Sequence, residues 1–140
     1  MENDTNQSAV GTKVDLGLDS EQINKHLENL IFTFTTNYEF KLFGKVDVAL
    51  STLNNQDQLL VEAEMKDIKG TPAFVVHTYQ VKILTHTLKQ YADTKFISAG
   101  QVQTFITKMP STVLDIILAH QNEFEKVLLD AAKGEHFKNL

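Results

Sequence analysis

Near the start of the chain the spacing of apolar side chains changes from a helical period to a period of two, and the two patterns imply different elements. Ile23, Leu27 and Leu30 recur at helical spacing behind Ser20, which reads as a helix N-cap, and Glu21 in the first turn complements the helix dipole. From Phe32 onward the alternation is strict. Phe32 and Phe34 alternate with threonines, Tyr38, Phe40 and Leu42 with Glu39 and Lys41, and Val46 and Val48 enclose Asp47. This is the signature of half-buried strands. Pairing Phe34 with Tyr38, Phe32 with Phe40 and Leu30 with Leu42 across Thr35, Thr36 and Asn37 leaves one face wholly apolar. A turn at Gly44 and Lys45 would instead set Lys41 opposite Val48 and Glu39 opposite Leu50. The first register is therefore expected, with Gly44 a bulge or bend inside a long second strand.

Helical patterns account for the remainder. One helix should follow Asn54 and Asn55 and reach about Ile68, ended by Gly70. Thr71 and Pro72 open the next, with proline at the first helical position, and it should run to about Tyr91. Ser98 caps a short helix carrying Val102, Phe105, Ile106 and Met109. Pro110 breaks the chain, Ser111 opens the last helix, and Gly134 should stop it near Lys133. The expected fold is α+β and mainly helical: an N-terminal helix, a β-hairpin with one long strand, then four helices. Residues 1–18 read as a flexible polar arm and 19–140 as a single globular domain.

The last helix carries an unusually broad apolar arc, roughly 220° of the projection against the 100° or so a surface helix needs. Val113, Ile117, Phe124, Val127 and Leu128 lie near its centre. Leu114, Leu118 and Leu129 form a shoulder, joined by Ala132 and interrupted by Glu125. Because a lone buried carboxylate is costly, the shoulder is expected to open to the surface and to bind a partner. A charge introduced at Leu118 should then spare the fold.

Composition narrows the function classes. The net charge is -5, and all 13 basic residues are lysine. Specific nucleic-acid or phosphate recognition, which favours a basic surface and the arginine fork, is not expected. Cysteine is absent, which removes disulfides, thiolate metal sites and thiol nucleophiles and points to an intracellular setting. Neither a secretory leader nor a membrane span is expected, since Met1, Glu2, Asn3 and Asp4 begin no basic-apolar leader and the apolar runs are short.

Candidate chemistry reduces to bland readings. His26, His77, His86, His120 and His136 show no ligand spacing of the HExxH kind. His120 shares a helix face with Glu123 but falls within an apolar arc, as does His77 on its own helix, so both read as satisfied, partly buried histidines. Glu62, Glu64 and Asp67 read as a solvated helix face. Gly44-Lys45 and Lys69-Gly70-Thr71 lack the spacing of a phosphate-binding loop, and no nucleophile elbow is present. No catalytic residue, metal ligand or cofactor is expected.

The order of elements carries one resemblance. An extended segment from Phe40 to Val46 leads into Leu50, Ser51, Thr52 and Leu53. An Asn-Gln-Asp-Gln helix, a Gly-Thr-Pro break and a long helix with Val81, Leu84 and Leu88 follow. The chain closes with Phe105 to Pro110 and Val113 to Leu118. Over about residues 38–130 this layout resembles small proteins of tailed bacteriophages that assist tail or baseplate assembly. The resemblance implies a non-enzymatic assembly chaperone or minor structural protein in the host cytoplasm or the virion. Its partner would be a tape-measure, tail or baseplate-hub protein, with neither nucleic acid nor membrane involved and self-association left open. The alternative is a small-molecule-binding or regulatory domain whose pocket is lined by Phe32, Phe34, Phe40 and Tyr79.

Overall fold

The computed structural model describes residues 14–138, the side chains of residues 136 and 137 excepted. Among these residues there are five helices and a four-stranded antiparallel sheet, which makes the fold α+β and mainly helical, as expected. The elements run α1 (Ser20–Thr33), β1 (Asn37–Leu42), β2 (Val46–Ser51), α2 (Asn55–Met65), α3 (Pro72–Thr87), β3 (Leu88–Tyr91), β4 (Thr94–Lys95), α4 (Ala99–Thr107) and α5 (Ser111–Lys138). The strands lie side by side in sequence order.

Local caps set most helix starts. Asp19 rather than Ser20 caps α1: its carboxylate accepts the Gln22 N–H at 2.8 Å while the Gln22 side chain accepts the Asp19 N–H at 2.9 Å. Asn54, Thr71 and Ser98 cap α2, α3 and α4 through the same kind of side-chain contact. Capping at Ser98 and at the Thr71-Pro72 start agrees with the sequence pattern.

The hairpin register differs from expectation. α1 continues through Phe32, and Phe34 ends it in a left-handed conformation with φ of 64°. The apparent alternation of Phe32 and Phe34 is therefore the tail of a helix. The turn lies instead at Phe43, Gly44 and Lys45, so that Tyr38 pairs with Leu50, Phe40 with Val48 and Leu42 with Val46. Phe43 and Gly44 both take positive φ, which glycine adopts freely. The parity that disfavoured this turn assumed two turn residues; the third restores apolar pairing on one face. Lys41 and Asp47 then face each other on the outer side, 2.6 Å apart.

The strands β3 and β4 occupy a stretch expected to be helical or loop. α3 stops at Thr87 and passes directly into β3, which pairs with β2 through Ala49–Gln90 and Leu50–Leu88. The open edge of β2 offers backbone partners that a continued helix would leave unused. Threonines at 85 and 87, whose hydroxyls bond back to the carbonyls of Lys82 and Ile83, weaken the helix there. α5, conversely, continues past Lys133 and runs through Gly134 to Lys138.

The inner face of the sheet contributes Tyr38, Leu42, Val48, Leu50 and Leu88 to the core. α5 covers them with Ile117, Leu118, Phe124 and Leu128, beside Leu84, Val102 and Ile106 from α3 and α4. Of the segment expected to form an arm, residues 1–13 lie outside the described residues. Leu16 and Leu18 pack against the core, so the domain begins before Asp19.

Phe34 provides a test of the α1 terminus. A side chain in the left-handed region costs about 1–2 kcal/mol, part of which glycine recovers after its own entropy loss. Phe34→Gly should therefore stabilise the protein by about 1 kcal/mol in thermal or chemical unfolding, and an unchanged or lowered stability would contradict the strain.

Candidate functional site

The shoulder of α5 does not form a surface row. Leu118 is 4% exposed and sits in the core, whereas Leu129 is 55% exposed. Leu114 is half-buried at the core edge, beside His77 and Val81, and Ala132 is exposed. The four residues proposed as a partner site are thus split between interior and exterior. A charge at Leu118 would enter the core.

Glu125 explains the discrepancy. It turns inward and finds polar partners at the exit of the hairpin: its Oε2 accepts the Leu53 N–H at 2.9 Å and Gln121 Nε2 at 3.0 Å. Gln121, itself buried, also donates to the Ser51 carbonyl at 3.3 Å. A carboxylate inside the apolar arc therefore marks a tie between α5 and the end of β2. Burial outweighs these two hydrogen bonds and pushes the carboxyl above its ordinary value of 4.5.

The histidines are placed by aromatic contacts. His120 lies flat on Phe40, with ring centroids 3.7 Å apart, and its Nδ1 is 3.1 Å from the Tyr38 hydroxyl. Tyr38 also stacks on Phe124 at 5.0 Å. Burial, and then the Asp15 carboxylate, push the Tyr38 hydroxyl up to about 12, so at neutral pH it keeps its proton. His26 lies edge-on to Phe124, and its Nδ1 is 2.6 Å from Thr36 Oγ1. Burial lowers both His26 and His120 below 6.5. His77 is exposed, contrary to expectation: it shares a helix face with buried Leu84 but lies two turns nearer the start of α3, where Phe74 and Val76 are exposed as well. His86 lies 3.6 Å from Asp57, and the His136 side chain lies outside the described residues. Among the described residues no three His, Asp or Glu side chains group as a metal site requires.

The pocket expected from Phe32, Phe34, Phe40 and Tyr79 does not assemble. Phe40 is occupied by His120, and the Tyr79 hydroxyl accepts the Gln58 side-chain amide at 2.6 Å. Instead, Ile31, Phe32 and Phe34 stand out at the end of α1, 66%, 80% and 81% exposed. Burying such a side chain fully is worth about 1.5–3 kcal/mol each, so three within four residues form a concentrated apolar surface. The α2–α3 pair shows Leu59, Leu60, Phe74 and Val76 only 49–58% exposed.

This end of α1 is held firmly. The Phe34 N–H donates to the Leu30 carbonyl at 3.1 Å, and Asn29 donates to Thr36 Oγ1 at 3.2 Å. Thr36 is buried and exchanges bonds with Thr52 at the far end of the hairpin: its N–H donates to Thr52 Oγ1, and its carbonyl accepts the Thr52 N–H. The phenyl rings are consequently displayed from a fixed corner. In the sequence, the signal for this surface was the same Phe-Thr-Phe run that imitated a strand.

The raised carboxyl of Glu125 has a consequence for pH. Its folded value lies above its unfolded one, so its contribution to stability is full below 4.5 and is lost as pH rises through the folded value. Glu125→Gln removes that loss. Compared by urea unfolding at several pH values, the variant should gain on the parent as pH rises from acid to neutral. A difference constant with pH would contradict the assignment.

Compared with known protein families, curated proteins and solved structures, the chain matches none.

Proposed function

We propose that this protein is a non-enzymatic interaction module that holds another protein through the apolar corner at the end of α1. The observation that carries this reading is the fixed exposure of Ile31, Phe32 and Phe34. The left-handed backbone at Phe34 holds one of these side chains out despite its strain. Large aromatic side chains that lose little conformational entropy on contact are the usual anchors of protein interfaces. The partner surface is therefore apolar and concave enough to receive two phenyl rings.

The setting we propose is assembly of a phage tail or baseplate, as a chaperone or minor structural protein in the host cytoplasm or the virion. That part rests on the layout resemblance of residues 38–130. A tape-measure, tail or baseplate-hub protein is the corresponding partner.

Purification from the native cell, with the parent chain and with Phe32→Ser/Phe34→Ser, tests both parts. The parent should carry a stoichiometric protein partner, and the double variant should lose it while melting no lower. Recovery of the parent alone, or a partner retained by the variant, would contradict the interaction surface. A partner that is not a virion component would leave the module standing and remove the phage setting.

A further inference from the structure

An open cavity of about 750 Å³ lies away from the α1 corner, between the β3–β4 hairpin and α4. This volume falls within the range of about 300–1,000 Å³ typical of pockets for small molecules. Its wall is built from half-buried rings that pack on the core: Tyr91 and Phe96 each lie 5.1 Å from Phe105, ring to ring. Met109 and Pro110 extend the apolar side.

Two features give the cavity a ligand preference. Lys95 and Lys108 line it from β4 and from the end of α4, and no Asp or Glu joins them in the lining. Among the described residues neither lysine forms an ion pair, although acidic side chains outnumber basic ones 18 to 13 in the chain. A local excess of unpaired positive charge beside an aromatic wall complements an anion with an apolar body. The second feature is Gly100. It sits in the first turn of α4, two residues after the Ser98 cap, and lines the cavity. A Cβ there would meet nothing nearer than Ser98 Oγ at 3.9 Å, and its backbone is not left-handed. Packing does not require glycine at this position; what its missing side chain provides is room in the cavity.

The walls are already in position. Phe96 N–H donates to the Lys89 carbonyl at 2.9 Å, Ala92 N–H to the Asp47 carbonyl at 2.8 Å, and Ile97 N–H to the Gln101 side chain at 2.8 Å. Little ordering is left to be done when a ligand enters, which favours affinity.

We propose that this cavity binds a small amphipathic anion: an aromatic or similarly flat apolar body, seated against Tyr91, Phe96 and Phe105, whose carboxylate or sulfonate is held by Lys95 and Lys108. The site is separate from the protein-contact corner and does not depend on it.

Two fluorescent probes with the same aromatic body test this on the full chain. 8-Anilinonaphthalene-1-sulfonate carries the anionic group, and N-phenyl-1-naphthylamine lacks it. The sulfonate should bind at one site and at least about tenfold more tightly than the neutral probe. Lys95→Gln/Lys108→Gln should remove that advantage and leave the neutral probe unchanged. Gly100→Phe should abolish binding of both, whereas Phe32→Ser/Phe34→Ser should leave both intact. Equal affinity of the two probes for the parent chain would overturn the proposal, as would sulfonate binding untouched by the lysine substitutions. Sulfonate binding lost in the Phe32→Ser/Phe34→Ser chain would assign the signal to the α1 corner and equally overturn it.

Discussion

The structure depends on the packing of α5 across the inner face of the sheet, centred on Phe124. Phe124 is fully buried and touches rings from two other elements, Tyr38 of β1 and His26 of α1, so a single side chain joins helix, sheet and N-terminal helix. On the same helix, Gln121 one turn before Phe124 and Glu125 immediately after it reach the exit of β2 at Ser51 and Leu53. The position of α5 is thus set by apolar volume and by specific hydrogen bonds together. That combination fixes rotation about the helix axis, which apolar contact alone over so broad an arc would leave loosely defined.

From that rotation the rest follows. It brings Leu118 into the core and leaves Leu129 outside, dividing a row that looks continuous on a helical wheel. It lays His120 against Phe40, so that these two rings pack on each other and the pocket expected around Phe40 does not form. With α5 committed to the sheet, three large apolar side chains within four residues, Ile31, Phe32 and Phe34, remain uncovered at the end of α1. The cavity beside α4 lies at the other end of the sheet, where the short β4 and the break at Pro110 leave a recess.

What could be read from the sequence was what local chemistry decides. Thr71 with Pro72, Ser98 and the Pro110 break each act within a few residues, and each marks a boundary close to the observed one. What could not be read was decided across the chain. β3 exists because β2 had an open edge, a partner 38 residues distant in sequence at Leu50 and Leu88 that no local pattern encodes. The hairpin parity turned on one residue in a turn. Glu125 was legible as an interruption of an apolar arc, yet whether a buried carboxylate has partners depends on Leu53 and Gln121, and only the fold brings Leu53 near it. The candidate contact surface was visible as a Phe-Thr-Phe run but carried the wrong period, because the last turn of a helix and the first residues of a strand can share the same letters.

The central claim is that the end of α1 is covered by another protein in the native setting. A photoreactive phenylalanine analogue placed singly at Phe32, and as a control at the solitary exposed Ile97, reports that contact by covalent capture in the native cell. The account predicts a single protein adduct from position 32 and none from position 97. No adduct from position 32, or the same set of adducts from both positions, would contradict it.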